Sequence, residues 1–580
     1  MSNFTPDQLA FIREPGHCCA VAGPGSGKTT SLLAKVADLA RHPANRIVAA
    51  TFTSDAAAEM QHRLVRKLGK MPANVVIGTW HSLALHHRRT HGLAKRTLGP
   101  AHQSALLRRV IEARVPPQEV ARALIEFESI KCSMDSDYAT VAHEWFHAYE
   151  TELATLGAID LYDVMRDTAR MMARKELPLF AATHLIIDET QDNDEVQFFL
   201  ANLHAGAGIT TTMVGDDDQA IYEWRHAKGF SGMEAFIKRH NARVVTMGDN
   251  FRSRGSIVAC ADELICHNKG FRLPKTFVPR RGAGGSVKIL STSSWASAAS
   301  SMLESIKPLL TCVAEEGLVR YMVPTGSVAV LARNNYMLDS IEDALVIEGI
   351  KYLRSGRSIW ASEPADLLMT VLATLVSNDP RGLDAAMHIG GLPDAVISKM
   401  NSQYRGRVGD FFDAGNSFDD LAPSLATQAQ QISARLAGIK QKIQQRQFGS
   451  AIGTAAAFVR QAFDRPSPQN TRNCEHLRAV ASGLISMRGP LLARLKQAQT
   501  AQSEQKPENS VILQTFHGSK GQEYANVFLL GVDQDIIPGK SERRAERRLL
   551  YVACTRAKDT LVITHTAGKD SEFLREITPP

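Results

Sequence analysis

The residues best placed to do chemistry stand early in the chain. There Ala22-Gly23-Pro24-Gly25-Ser26-Gly27-Lys28-Thr29 separates a short apolar run from a helical pattern. This is the spacing of a phosphate loop, AxxxxGKT, with a small residue in place of the opening glycine. Glycines let backbone N–H groups turn toward an anion, and a helix N-terminus adds its positive end. In such a loop Lys28 reaches the β and γ phosphates of a nucleotide, and the Thr29 hydroxyl ligates Mg2+. A second cluster closes another apolar run, His184-Leu185-Ile186-Ile187, which leads into Asp188-Glu189. A carboxylate at a strand's C-terminal end, here Asp188, can hold Mg2+, and Glu189 can orient or deprotonate an attacking water. Together the two clusters point to hydrolysis of a nucleoside triphosphate.

A third segment, Val214-Gly215-Asp216-Asp217-Asp218-Gln219-Ala220-Ile221-Tyr222-Glu223-Trp224-Arg225, gathers acid, amide, aromatic and base in one connection. Gln219 can sense a γ-phosphate, while Tyr222 and Trp224 offer ring faces to unstacked bases. Core packing is the ordinary explanation for either ring alone. Asp216, Asp217 and Asp218 repel phosphate and are expected to face away from nucleic acid. Three more segments complete the set: Asn250-Phe251-Arg252-Ser253, the run Gln514 to Tyr524, and the run Glu546 to Lys558. Arg543, Arg544, Arg547 and Arg548 read as a solvated helix face.

Positioning these groups requires a particular kind of scaffold. Apolar runs at 18–23, 47–53, 75–79, 184–189 and 211–216 are too short for helices and read as strands buried on both faces of a parallel sheet. Helical patterns lie between them, so a doubly wound α/β layer is expected. From about 90 to 180 the pattern is helical without strands. The layout then repeats, with strand-like runs at 286–290, 327–333, 510–518, 526–532 and 559–565, broken by helical sequence from about 361 to 507. The polar stretch 503–510 reads as an exposed return linker.

In order and over nearly the whole length, these motifs resemble those of the UvrD/Rep/PcrA family of superfamily 1 helicases. TFTSDAAAEM, GTWHSLA, IIDETQD, VGDDDQAIYEWR, NFRS, TFHGSKGQEY and ERRLLYVACTRA carry the resemblance. It implies an α/β fold with two RecA-like parallel-sheet core domains, ATP in the cleft between them, and a mainly helical accessory domain interrupting each. The first core would comprise residues 1–90 and 180–248, with the insertion at 91–179. The second would comprise 249–360 and 508–580, with the insertion at 361–507. By the same resemblance Gln8 reads the adenine, Phe251 stacks on it and Glu523 contacts the ribose. Arg252 and Arg556 reach the γ-phosphate from the opposite domain. Contacts to single-stranded DNA would come from Phe52, His81, Tyr222, Trp224, Arg225 and His517, although His81 and His517 are also explicable as core histidines. Thr30 stands where many relatives place an arginine against the adenine, so the base is expected to be held on one face. The accessory segment's duplex-contact motif is matched only loosely by Ile389-Gly390-Gly391-Leu392-Pro393.

Composition bounds the rest. At 580 residues the chain is expected to form about four domains. Its 67 Lys and Arg against 60 Asp and Glu leave +7, a bias that permits a nucleic-acid partner without establishing one. The eight cysteines form no CxxC pair, so buried reduced thiols are expected rather than a zinc site. No stretch reaches the roughly 18 apolar residues of a membrane span, and the N-terminal residues, with Asp7 and Glu14, do not read as a signal peptide. With the resemblance, a cytoplasmic ATP-dependent and Mg2+-dependent single-stranded DNA translocase and helicase is expected, its 3′–5′ polarity implied by the family alone. Its substrates would be single-stranded and tailed duplex DNA, with a possible protein partner in repair, replication or defence. Two rivals are a motor subunit of a nuclease or defence complex and a nucleotide-gated DNA-binding protein without productive turnover.

Overall fold

The computed structural model describes residues 4–315, 318–324, 326–356, 358–377, 381–404, 410–412, 418–503 and 509–577. Most of the expected 503–510 linker, residues 504–508, lies outside these. Among the described residues no helix is long and apolar enough to cross a membrane.

Two six-stranded parallel sheets organise the α/β molecule, one for each RecA-like core. The first contains β1 (Cys18–Ala22), β2 (Ile47–Thr51), β3 (Val75–Thr79), β4 (His184–Ile187), β5 (Thr210–Gly215) and β6 (Arg243–Met247), in the order β3-β2-β4-β5-β1-β6. The central strands β1 and β2 are buried at every position, as continuous apolar runs require when helices cover both faces. Edge strand β6 was not expected from sequence: Arg243 and Val244 are exposed, so its apolar run is broken. Because every strand is parallel, the loops carrying Lys28, Phe52, His81, Asp188 and Gln219 all leave the same edge. That edge is where an open α/β sheet binds its ligands.

The second sheet contains β7 (Ser286–Thr292), β8 (Val328–Ala332), β9 (Tyr352–Arg354), β10 (Val511–Thr515), β11 (Tyr524–Leu530) and β12 (Ala557–Thr566), in the order β7-β12-β11-β8-β10-β9. The three-residue strand β9 and an antiparallel hairpin, Thr311–Glu315 with Leu318–Met322, are additions to the expected set. The stretch expected to be purely helical from 90 to 180 also contains a small pair, Arg96–Thr97 against Ala158–Ile159.

The two helical regions attach differently. The first has a core of its own, running from Leu98 to Ala158 and centred on Phe127, Trp145, Phe146 and Tyr149. The second shares one continuous apolar cluster with the second sheet, in which Trp360, Leu372, Leu436 and Leu484 join Val330, Leu513 and Phe528. The expected amphipathic helix through the glutamine-rich run is present as Pro423–Gln444, burying Ile432, Leu436 and Ile439. Five cysteines, Cys18, Cys19, Cys132, Cys260 and Cys554, are buried and free, Cys474 is partly buried, and Cys266 is exposed. The Cys312 side chain lies outside the described set.

Candidate nucleotide cleft and nucleic-acid interface

The loop leaving β1 enters the helix Lys28–Leu39 with Gly25 and Gly27 in the left-handed region, at φ 69° and 74°. Side chains there would also collide. A Cβ on Gly25 would stand 2.6 Å from the Arg252 Cβ, and one on Gly27 would stand 2.8 Å from Gln8 Nε2. Gln8 braces the loop, donating from Nε2 to the Ser26 carbonyl at 2.9 Å while its Oε1 accepts from the Thr5 N–H. Ala22 is buried at the end of β1, and Gly23 and Pro24 begin the cleft wall. The helix starts without a side-chain cap, and the buried Ser26 hydroxyl has no partner. Free N–H groups and an unpartnered hydroxyl at a helix N-terminus form the donor set that a phosphate chain satisfies.

Lys28 Nζ donates to Glu189 Oε2 at 2.7 Å, and Gln191 Nε2 donates to the same oxygen at 2.7 Å. Burial opposes ionisation of Glu189, yet Lys28 and Lys520 outweigh it and hold the carboxyl below the usual range. Asp188 shifts the other way, since burial and the charge of Glu189 push it up. Among the described residues no cation pairs with Asp188; the Glu189 N–H donates to it at 3.0 Å. A buried carboxylate without an ion pair, next to a phosphate loop whose Thr29 lines the cleft, fits a divalent cation such as Mg2+.

The opposite wall comes from the second core. Phe251 donates its N–H to the Gly25 carbonyl at 2.8 Å and leaves its ring 46% exposed toward the cleft. Arg252 Nε donates to Glu523 Oε2 at 2.8 Å, and Lys558 pairs with the same carboxylate at 2.6 Å. Arg556 is fully buried and, among the described residues, has only neutral acceptors: the Val552 and Gln522 carbonyls, Thr555 Oγ1 and Gln219 Oε1. Burial and the nearby Arg252 push its pKa down to about 9. A buried guanidinium without a carboxylate is costly unless an anion completes it. Gln219 in turn donates to Asp216 at 2.6 Å. The walls enclose an open cleft of about 560 Å³ that gathers Gly23 through Thr30 with Glu189, Gln219, Phe251, Arg252, Glu523 and Arg556. Gln8, Ala22 and Asp188 are buried and are not among the residues that line it.

The same connection that carries Gln219 carries the rings. Phe52 stacks on Tyr222 with centroids 5.6 Å apart and planes 17° from parallel. Tyr222, Trp224 and His517 lie 6.5 Å from one another, centroid to centroid. The Arg225 guanidinium lies 4.7 Å from the Trp224 ring centre. Trp224 is 59% exposed, which core packing does not explain. Burial, with Arg333, Lys520 and Arg225 nearby, pulls the His517 pKa down to about 4, leaving a neutral ring at pH 7. His81 stands apart: it is the second residue of the helix Trp80–Thr90 after β3, half-buried, and none of the described ring contacts joins it to this group.

Residues 9–225 match the family model described as an AAA domain, and residues 424–568 match that of a UvrD-like helicase C-terminal domain. The chain is 25% identical to ATP-dependent DNA helicase PcrA of Leuconostoc citreum, over 97% of this chain and 83% of that protein. It is 26% identical to DNA helicase II of Haemophilus influenzae, over 96% and 82%, and 26% identical to ATP-dependent DNA helicase Rep of Escherichia coli K12, over 97% and 90%. The two domain matches and these relatives together support the UvrD/Rep/PcrA-like helicase family for this chain.

Several cleft residues escaped the sequence reading. Lys520 lines the cleft, pairs with Asp192 at 2.6 Å, donates to the Gln219 carbonyl at 2.8 Å and lies 4.9 Å from the Tyr222 ring centre. It therefore touches both the nucleotide wall and the ring cluster. Arg63, Arg281 and Lys558 also line the cleft. A glycine-rich run flags a loop, but nothing local flags a lysine whose partner lies 328 residues away.

The acidic triad is fully buried, where Lys275 pairs with Asp216, Asp217 and Asp218, and Arg272 with Asp218. The arginine face is corrected. Arg543 and Arg544 are solvated, but Arg547 is buried against Glu576 and Asn268, and Arg548 against Glu223.

Proposed function

We propose that the protein hydrolyses ATP to move along single-stranded DNA, and that this movement unwinds tailed duplexes with the 3′–5′ polarity its family resemblance implies. One observation carries the reading: a single connection, Asp216 to Arg225, reaches the buried Arg556 through Gln219 and the ring cluster through Tyr222 and Trp224. ATP supplies the phosphoanhydride whose cleavage drives the cycle, with Mg2+ held by Thr29 and Asp188. Lys28 and the loop N–H groups bind the phosphates on one wall, and Arg252 and Arg556 on the other. Lys28 exchanges Glu189 for phosphate, which frees Glu189 to take a proton from water. Gln8 and Phe251 hold the adenine and Glu523 the ribose. Closing the walls moves Gln219 and Lys520, and with them the ring group of Phe52, Tyr222, Trp224 and His517, while Arg225 and His81 contact the strand. We place this proposed work in the cytoplasm, in repair, replication or recombination.

The test is ATP turnover with and without single-stranded DNA, followed by strand displacement on 3′-tailed, 5′-tailed and blunt duplexes. Stimulation by DNA and displacement of the 3′-tailed substrate are expected. Full turnover in Lys28→Ala, or no stimulation in the wild type, overturns the reading.

A further inference from the structure

On the second core, Tyr336 is 53% exposed in the short turn Asn335–Leu338 that follows β8. Its ring packs on Trp295, with centroids 5.6 Å apart and planes at 48°. Trp295 begins the helix after β7, and its Nε1 donates to Asp533 Oδ2 at 3.0 Å. Asp533 is itself fixed by the N–H and hydroxyl of Thr566. Gly531, at φ 66°, makes room for the pair: a Cβ there would stand 2.6 Å from Met337 Cε and 3.0 Å from Trp295 Nε1. The turn's backbone is held as well, Arg354 Nη2 donating to the Asn335 carbonyl at 2.6 Å. Tyr336 thus presents a ring that is both solvent-facing and braced from behind.

Its position gives the brace a purpose. Strands β7, β8 and β10 are parallel members of one sheet, so Trp295, Tyr336 and His517 emerge at the same edge, and β8 and β10 are neighbours. Arg333, three residues before Tyr336, lines a hollow of about 530 Å³ together with Trp224 and His517. The braced ring therefore stands at the sheet edge from which His517 also emerges, close in sequence to an arginine of the hollow that Trp224 lines. Base stacking requires an exposed ring face already held in place, and it is indifferent to sequence.

We propose that Tyr336, braced by Trp295, is a further stacking contact for single-stranded DNA, extending the track from Trp224 and His517 across the second core domain. This rests on the translocase reading above. The experiment is fluorescence-anisotropy titration of a labelled oligothymidylate, with thermal melting to show that each variant is folded. Tyr336→Ala is expected to weaken Kd by about 5- to 150-fold, the loss of one stacked base, while Tyr336→Phe, which keeps the ring, stays within about twofold of wild type. Wild-type affinity in Tyr336→Ala would leave the platform to some other partner, such as a protein surface, and overturn the inference. An equal loss in Tyr336→Phe would overturn it too, since a hydroxyl contact is not stacking. Trp224→Ala separates the two levels: weakening there, with Tyr336→Ala unaffected, sinks this contact and leaves the track standing. A wild-type protein that binds no oligonucleotide sinks both.

Discussion

Lys131 and Arg556 are both fully buried, and their surroundings are opposite. Lys131, in the first helical insertion, meets Glu150 at 2.6 Å, Asp163 at 2.8 Å and Asp160 at 3.1 Å, inside a ring of Phe127, Tyr138, Phe146 and Tyr149. Burial would discharge it, but the carboxylates more than compensate and hold it charged. Arg556, in the second core, has four neutral acceptors, and the charge that acts on it most strongly is that of another arginine. A buried charge answered by partners from its own domain serves the fold. One left to neutral acceptors at the mouth of a cleft is waiting for a ligand.

Removing each cation breaks the contrast or sharpens it. Arg556→Ala should lower kcat for ATP by about 10³- to 10⁵-fold, the range of an arginine that stabilises phosphoryl transfer. Its thermal unfolding should shift less than that of the insertion variant, because no opposite charge is stranded. Lys131→Met should do the reverse, costing about 3–5 kcal/mol in denaturant unfolding, because three carboxylates lose their common cation. Turnover per folded molecule should survive, since Lys131 touches nothing in the cleft. An Arg556 variant that unfolds yet still turns over ATP would erase the distinction.

How much of this was legible in sequence follows the same line between local and distant. The phosphate loop, the Asp188-Glu189 pair and the central strands were readable because each is one continuous segment whose physics is complete in a few residues. Strand β6 was not, because an edge strand half-open to solvent loses the unbroken apolar run. Lys520, Lys275 and the buried pair Arg547 and Arg548 were not, because what makes a cation buried rather than solvated is a partner supplied by the fold, such as Asp192, Asp216 or Glu576. The second insertion read as a separate unit by helical periodicity, yet its core is continuous with the second sheet through residues that no local window connects.

The contrast extends from charges to rings. Trp145, buried in the insertion core, packs on Phe146, whereas Trp224 is mostly exposed beside Arg225 and His517. Trp224→Ala should therefore cost about 1–3 kcal/mol of single-stranded DNA affinity. It should reduce DNA-stimulated turnover more than DNA-free turnover. Equal loss of both would make Trp224 a packing residue after all and dissolve this part of the comparison.

The smallest effect tests whether the insertion's network is as self-contained as its geometry suggests. Three carboxylates share one ammonium, so one of them is over-supplied with negative charge. Burial, with Asp163 and Asp160 adding to it against the pull of Lys131, pushes Glu150 up to about 7. A carboxyl whose folded pKa lies above its unfolded value of 4.5 binds its proton more tightly in the folded state. Its stabilisation is complete below the unfolded value and is lost as pH rises through about 7. Between pH 6 and pH 8 the wild type should therefore lose about 1 kcal/mol from this group, read in urea melts at the two pH values. Glu150→Gln, which keeps the shape and fixes the group as neutral, should flatten that slope. An unchanged slope would mean that the surplus charge is dispersed beyond Glu150, and that the Lys131 site is less closed than Arg556 is open.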